Sequence, residues 1–426
     1  MKIDTNFLLL TSVNSLHAEL DGNRYQKLIT QGSYAKSLKA INSIPSGLSV
    51  QTMDLEIFPE IFEPVLEFQS GRNGCELIAS DFAHCLPDFL NMADKRLPAI
   101  NQGLGTEMLV SGRSYFHAAY SSVPASSDYE HKLIINSGSK RPWKMPPACY
   151  VNDSTIEFFK EDENYFIGDQ KKFKFSDIGA DAVYYHDRYY FRMYNLITNP
   201  INQAWNKLQA WLNGQGEKKY TADELVDVIW RQLELASKAG VKVLIFPKDI
   251  EGCVIGSHHG HVIWEEVVRA LQKSQLPLIQ PSEAYFKLIP KIKKVNLRPH
   301  FNIPAKYYGS VPQMKRNAEV IKAMNTLVES DSKNLQSIKV ALFLGLSDHM
   351  VVMRYRTEGR ITIDTDEEKI TFMGQNSDIF IAQEAVLRAV QQGKDPMTKA
   401  IKWLSKIPTK QQTALTQPLI EWFRNL

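Results

Sequence analysis

The stretch Val241-Lys242-Val243-Leu244-Ile245-Phe246-Pro247-Lys248-Asp249-Ile250-Glu251-Gly252 decides the fold class. Its first six residues are mostly apolar and β-branched, which is typical of a strand buried on both faces of a parallel sheet. The segment before it, Tyr220–Ala239, has apolar residues at helical spacing and begins with a capping box formed by Thr221 and Glu224. A strand that directly follows such a helix indicates an alternating α/β unit.

The same alternation extends to about residue 290. Phe7–Leu10, Glu76–Ala79 and Leu276–Ile279 are strand-sized apolar runs, whereas Tyr25–Ile41 and Ile263–Leu271 have helical periodicity. Repeated alternation of this kind predicts parallel strands with right-handed crossovers, in either a barrel or a doubly wound sheet.

Two segments do not fit this pattern. We interpret Pro45-Ser46-Gly47 as a break between elements. Residues 101–142 mix Gly, Ser and aromatic residues without a period, and we expect an irregular loop excursion there.

The chain changes character after Arg298. Four segments are expected to be helical: Gln313–Leu327, Ser337–Leu346, Ile379–Gln392 and Thr398–Ser405. Ile361–Ile363 and Ile370–Met373 are expected to form a small hairpin. The last third of the chain is therefore predicted to be mainly helical.

Composition excludes several classes of protein. The chain has 426 residues and a net charge of +3, so it lacks the concentrated basic footprint that nucleic-acid binding requires. No apolar run approaches the roughly 18 residues of a membrane helix. The four cysteines show no Cys-x-x-Cys spacing, so neither a zinc site nor a disulfide framework is indicated. We expect a cytoplasmic protein with no nucleic-acid or membrane partner and no cofactor, whose oligomeric state the sequence leaves open.

The most pointed candidate for chemistry is Asp249, at the end of the apolar strand. The carboxyl ends of strands open onto the active site in an α/β barrel. A partly desolvated carboxylate in that position has a raised pKa and suits general acid catalysis. The alternative is that Asp249 caps the next helix or solvates a loop.

Other candidate residues each have an ordinary structural alternative. Glu76 lies in an apolar strand, where a carboxylate needs a partner, so it is either a site residue or part of a buried polar network. Trp143 is either a platform for a sugar ring or a core residue. His258, His259 and His261 lack a third ligand at recognisable spacing, so we interpret them as polar loop residues near a ligand and predict no metal site.

Taken in order, short segments along the chain resemble glycoside hydrolase family 57, the α-amylase and glucanotransferase-like group. Leu346-Ser347-Asp348-His349 is similar to the Ser-Asp-His segment in the helical part of that family. The other segments that carry the resemblance are Glu76–Ser80 with His84, Trp143–Tyr150 with Asp153, Phe246–Gly252, and Pro281-Ser282-Glu283-Ala284.

The resemblance implies a distorted (β/α)7 barrel over residues 1–295 and a mainly helical domain over residues 296–426. It implies retaining hydrolysis or transfer on α-glucans by two carboxylates about 5–5.5 Å apart. Asp249 matches the acid/base position. The resemblance also implies that substrate would be bound by Glu76, His84, Trp143, Glu251, His259, Asp348 and His349.

Two departures from the family pattern change the expected function. The nucleophile position is occupied by Pro147, which has no nucleophilic side chain. The histidine-rich motif after the first strand is replaced by Thr11-Ser12-Val13-Asn14-Ser15. We therefore expect an α-glucan-type carbohydrate partner and lost or altered glycosidase activity, a pseudoenzyme.

Two other hypotheses stay open. An active carbohydrate enzyme would use a displaced carboxylate, namely Glu76, Glu251 or Asp153, with Asp249 as the acid/base. Alternatively, water would attack directly in an inverting scheme with carboxylates about 6.5–9.5 Å apart. A metal-dependent deacetylase on a related barrel would combine the loop histidines with Asp249.

Overall fold

The computed structural model describes most of the first sheet, the helices around it and the C-terminal helices. The described residues are 3–13, 32–58, 65, 74–78, 82–83, 85, 96–97, 100–101, 103–105, 118–121, 133–136, 183–185, 188–190, 195–238, 243–250, 260–281, 283–284, 293–294, 311–330, 334–347, 360–365, 368–373, 377–413 and 415–426.

Strands and helices alternate along the first part of the chain. In order they are β1 (Asn6–Val13), α1 (Ser33–Ile41), β2 (Ser46–Val50), α2 (Thr52–Ile57), β3 (Cys75–Ile78), β4 (Ala118–Ser121), β5 (Leu133–Asn136), β6 (Val183–Tyr185), β7 (Arg188–Tyr190), α3 (Asn195–Leu212), α4 (Ala222–Lys238), β8 (Val243–Asp249), α5 (Gly260–Lys273) and β9 (Lys293–Lys294). The described part of the chain is mostly helical, and it contains the expected parallel sheet.

The parallel sheet has the strand order β3-β2-β1-β8. β1 pairs in parallel with both β2 and β8, and β2 pairs in parallel with β3. Near its start, β1 also forms a parallel bridge between Phe7 and Leu278, so the predicted strand-sized run Leu276–Ile279 does reach the sheet. Parallel neighbours require crossovers, and the helices between these strands supply them.

Helices cover one face of this sheet through aromatic side chains. Trp205 of α3 packs on Phe246 of β8 with ring centroids 6.0 Å apart, and on Trp264 of α5 at 4.9 Å. Phe7 of β1 stacks on Phe246 at 6.3 Å. All four side chains are buried. Aromatic rings bury large apolar areas and favour tilted pairs, so this cluster fixes α3 and α5 against the sheet.

Two expectations for the first part of the chain were wrong. Ser46 and Gly47, interpreted as a break, begin strand β2, whose five residues are all buried. β4 and β5 lie within residues 101–142, where a loop excursion was expected, and pair in parallel in a second sheet of order β4-β5-β7-β6-β9. In both cases the strands are short, and tertiary pairing outweighs the low strand propensity of Gly, Ser and Ala.

The C-terminal part is helical as predicted. Its elements are α6 (Val311–Ser330), α7 (Leu335–Val340), a π-helix (Ala341–Leu346), β10 (Arg360–Asp364), β11 (Lys369–Met373), α8 (Ser377–Gln392), α9 (Pro396–Leu404), a 3₁₀ turn (Thr409–Gln411) and α10 (Thr416–Asn425). β10 and β11 form the predicted antiparallel hairpin.

The C-terminal helices contact the first part of the chain directly. Glu56 of α2 accepts hydrogen bonds from Lys339 of α7 and, at 2.9 Å, from the Trp422 indole of α10. Cys85 forms an antiparallel bridge with Ser347. The boundary near residue 295 stays a prediction, since a single apolar cluster includes residues from both sides of it.

Among the described residues, no helix combines the length and the apolar character needed to cross a lipid bilayer.

The predicted capping box at the start of α4 is confirmed. The Thr221 backbone N–H donates to Glu224 Oε2 at 2.7 Å, and the Glu224 backbone N–H donates to Thr221 Oγ1 at 3.2 Å. These two bonds satisfy backbone donors that a helix start would otherwise leave free. The hydrogen bonds from Thr221 also lower the pKa of Glu224.

Replacing Thr221 by Ala is expected to lower the free energy of unfolding by about 1 kcal/mol, because the side-chain acceptor of the cap is lost. Urea denaturation followed by circular dichroism measures the change. Thr326→Ala is the matched control, because Thr326 is exposed within α6 and its hydroxyl donates a hydrogen bond to the Lys322 carbonyl of the same helix, not to a helix start. Equal losses in the two variants would contradict the capping role.

Candidate functional site

The carboxyl ends of β1, β2 and β8 meet at one edge of the parallel sheet. Asp249 is the last residue of β8 and is level with Ser12, while Val13 of β1 is level with Val50 of β2. In α/β sheets ligands bind outside the carboxyl ends of strands, because loops and helix starts converge there. The predicted acid/base position therefore lies where this fold places ligand sites.

Lys248, the residue before Asp249, shows which face of β8 is covered by helix α3. The Lys248 ammonium donates to Asn202 Oδ1 at 3.0 Å and lies 5.6 Å from the centre of the Trp205 ring. Both partners belong to α3, the helix that also covers Phe246. Lys248 and Phe246 are two residues apart, so both side chains lie on the face of β8 that α3 covers.

Glu76 lies in β3, level with Gly47 of β2, and is partly exposed. Three strand intervals separate β3 from β8, which corresponds to about 14 Å along the sheet. Its neighbour Cys75 is buried, and its thiol donates to the Ile41 carbonyl at 3.0 Å. Burial raises the pKa of the Cys75 thiol to about 11, so this cysteine is protonated at neutral pH and is not a nucleophile.

The two residues that flank His84, Ala83 and Cys85, are each bonded to another segment of the chain. Asn101 makes two bonds to Ala83: its Oδ1 accepts from the Ala83 N–H at 2.9 Å, and its Nδ2 donates to the Ala83 carbonyl at 2.8 Å. On the other side, Cys85 forms the bridge to Ser347. Ser347 begins the predicted Ser-Asp-His segment. The structure thus brings together two segments that resemble separate motifs and lie far apart in sequence.

The π-helix Ala341–Leu346 directly precedes Ser347. Three of its carbonyl oxygens accept side-chain donors: Leu342 from Cys85 Sγ at 3.5 Å, Phe343 from Ser347 Oγ at 2.7 Å, and Leu344 from Gln383 Nε2. A π-turn widens the helix and disturbs the regular bonding, and such turns are frequent at functional sites. Here the side chains of Cys85, Ser347 and Gln383 compensate for that disturbance by donating hydrogen bonds to the three carbonyl oxygens.

A polar group after β2 was missed by sequence reasoning. Gln51, Thr52 and Asp54 are buried where this strand ends at the carboxyl edge. Within the described part of the chain, no hydrogen-bond partner is found for Gln51 Nε2 or Thr52 Oγ1. The available signal was the presence of Gln51, Thr52 and Asp54 directly after Ser46–Val50, but the interpretation of Pro45-Ser46-Gly47 as a break hid the strand that precedes them.

Most of the predicted site residues lie outside the described residues. These are His84, Trp143, Glu251, His259, Asp348 and His349, together with Pro147 and His258. Of Asp249 and His261 only the backbone is described. Among the residues that are described, no group of three or more His, Cys, Asp or Glu is placed to hold a metal ion. The substrate-binding, nucleophile and metal predictions therefore stay predictions.

No protein-family model matches the sequence, and no curated protein matches it. Solved structures do match the fold. The glycoside hydrolase family 57 branching enzyme of Thermococcus kodakaraensis, solved in complex with glucose and additives, matches with a TM-score of 0.57 and 11% identity, over 100% of this chain and 96% of that chain. The branching enzyme of this type from Pyrococcus horikoshii matches with a TM-score of 0.51 and 11% identity, over 98% and 97%.

A 4-alpha-glucanotransferase from Thermococcus litoralis matches with a TM-score of 0.48 and 12% identity, over 87% of this chain but only 65% of that chain. At identities this low, structural likeness shows the fold alone. The chain therefore has a fold like that of the family-57 branching enzymes, as the sequence resemblance led us to expect.

Proposed function

We propose that this chain is a family-57-like protein that binds α-glucan-type carbohydrate at the carboxyl edge of its parallel sheet, with lost or altered retaining glycosidase activity. The observation that carries the proposal is the position of Asp249, at the end of β8 and level with Ser12, in a fold like that of the branching enzymes. In the sequence, Pro147 stands where a family-57 nucleophile is expected. Without a carboxylate there, no covalent glycosyl intermediate forms at that position.

The proposal includes the finer architecture. We propose that the parallel sheet belongs to a distorted (β/α)7 barrel over residues 1–295, followed by a helical domain over residues 296–426. Four adjacent parallel strands and the likeness to the branching enzymes support it. The proposed substrate-binding residues are Glu76, His84, Trp143, Glu251, His259, Asp348 and His349. A cytoplasmic location is part of the same proposal, supported by Cys75 and Cys85, two buried cysteines that are not in disulfides.

The first test compares binding with hydrolysis. We expect the protein to bind maltoheptaose in calorimetry and to release no reducing ends above background. Asp249→Asn is expected to weaken binding by about tenfold, because a hydrogen bond to a charged group contributes about 1.5–3 kcal/mol. It is expected to leave the background hydrolysis rate unchanged.

Asp364→Asn is the matched control, because Asp364 is an exposed carboxylate in the β10–β11 hairpin. It is expected to bind like the unmodified protein. Robust hydrolysis that Asp249→Asn abolishes would overturn the loss of activity. Absence of any glucan binding would overturn the binding function.

The displaced-carboxylate alternative makes a different prediction for product stereochemistry. An inverting pair needs carboxyl groups about 6.5–9.5 Å apart. The spacing of about 14 Å between β3 and β8 makes Glu76 a poor partner for Asp249. Glu251 and Asp153 are the remaining candidates. Proton NMR of the first anomer formed identifies the inverting form, which releases a β-anomer from an α-glucan, whereas a displaced nucleophile would release an α-anomer.

A further inference from the structure

A cavity of about 380 Å³ lies between α2, α7 and the end of α10. Glu56 and Lys339 line it, and Leu104, Leu335 and Leu426 supply apolar wall. Its volume falls within the roughly 300–1,000 Å³ of small-molecule sites in proteins. It shares no residue with the proposed carbohydrate site at the sheet edge.

The polar part of the cavity is an ion pair that keeps hydrogen-bonding capacity beyond the bonds it makes to the described residues. The side chains of Glu56 and Lys339 are 18% and 23% exposed, so a ligand in the cavity can reach both. One Glu56 oxygen accepts from Lys339 and the other from the Trp422 indole at 2.9 Å. Each carboxylate oxygen can accept a second bond, and the ammonium has three N–H donors. The cavity therefore presents a donor and an acceptor side by side.

The charges of this pair disfavour ligands that carry a net charge. Glu56 and Lys339 neutralise each other, so an anion attracted to Lys339 would be repelled by Glu56, and a cation would face the opposite conflict. A hydroxyl group both donates and accepts, and two neighbouring hydroxyls can bond to both side chains without separating them.

The walls favour a ligand that also has an apolar face. Leu335, at the start of α7, is 51% exposed. Covering a leucine side chain is favourable, at roughly 25 cal/mol per Å² of apolar surface removed from water. The C–H face of a sugar ring provides such a surface, and the Gln336 amide on the same wall adds a further donor and acceptor.

We propose that this cavity binds a small neutral polyol, of one or two sugar rings. The ligand places neighbouring hydroxyls on Glu56 and Lys339 and its C–H face on the leucines. This inference does not depend on the proposed function at Asp249, because the two sites use different residues.

Fluorine NMR of the full chain labelled with fluorotryptophan tests the proposal. The Trp422 indole bonds to Glu56, so its resonance, assigned through Trp422→Phe, reports on the cavity. Glucose and maltose are the probes, and a Kd on the order of 1–10 mM is expected for contacts this few. Leu335→Arg is expected to weaken the response at least tenfold by filling the cavity mouth.

Leu235→Arg is the matched control, because Leu235 is 50% exposed on α4 and does not line the cavity. It is expected to leave the response unchanged. A Trp422 resonance that does not move, or that moves equally in Leu335→Arg, would overturn the site. A response to nicotinamide but to neither sugar would overturn the polyol assignment. If glucan does not bind at Asp249, the Trp422 response to glucose and maltose is still expected. The failures of the two proposals are therefore distinguishable.

Discussion

Replacing Gly345 by Ala is expected to destabilise the protein by about 3 kcal/mol or more. A Cβ atom at this position in the π-helix would overlap Met324 Cγ. Both positions are buried, so neither the Met324 side chain nor the added methyl group can move into solvent. Forcing extra atoms into a packed core costs about 1–3 kcal/mol and sometimes more, and this overlap is severe. Denaturation by urea, followed by circular dichroism, measures the loss.

Gly103→Ala is the matched control. Gly103 is helical and exposed, and no atom lies within 4 Å of its added Cβ. Alanine favours a helix over glycine, so this variant is expected to be as stable or up to about 1 kcal/mol more stable. Met324→Ala combined with Gly345→Ala should be destabilised by less than the sum of the two single losses, since Met324→Ala removes the atoms that clash. If Gly345→Ala unfolds at the same urea concentration as the unmodified protein, the close approach to Met324 is wrong.

The second large effect is expected at Glu56, which connects α2 to α7 and α10. Glu56→Ala removes the partner of Lys339 and the acceptor of the Trp422 indole at once. Breaking a buried ion pair by deleting one partner costs about 3–5 kcal/mol. Because the pair is partly exposed, we expect a loss of about 2–3 kcal/mol, measured by the same denaturation experiment.

Glu421→Ala is the control for this variant. Glu421 pairs with Arg424 at 2.8 Å, but both side chains are about half exposed. Such surface pairs contribute little, so the expected change is below about 1 kcal/mol. A double-mutant cycle with Lys339→Met isolates the ion pair from the bond to Trp422. Equal losses for Glu56→Ala and Glu421→Ala would show that Glu56 does not join the two parts of the chain.

Local patterns in the sequence were sufficient for the elements that carry their own signals. The capping box of Thr221 and Glu224, the strand β8 and the hairpin of β10 and β11 follow from spacing between near neighbours. β2 does not, because Ser46-Gly47-Leu48-Ser49-Val50 is poor in strand-forming residues. It is a strand because β1 and β3 pair with it on both sides.

Some features of the candidate site could likewise be predicted from local sequence, and others could not. The place of Asp249 at a strand end was predictable, because it depends only on where an apolar run stops. The bridge between Cys85 and Ser347 was not, because no local pattern encodes a contact between segments so far apart. The buried group of Gln51, Thr52 and Asp54 was missed together with the strand that precedes it.

The π-helix makes the link between Cys85 and Ser347 sensitive to chain length. Ala341–Leu346 contains a wide turn, and an ordinary α-helix turns by about 100° per residue. Deleting one residue from this segment would restore α-helical geometry, but it would change which carbonyl oxygens are left for Cys85, Ser347 and Gln383 to bond. All six residues are buried, so the deletion is expected to disturb their packing together with the bond from Cys85 to the Leu342 carbonyl. A change of one residue in the length of this segment therefore acts directly on the chain at Ser347, where the Ser-Asp-His segment begins.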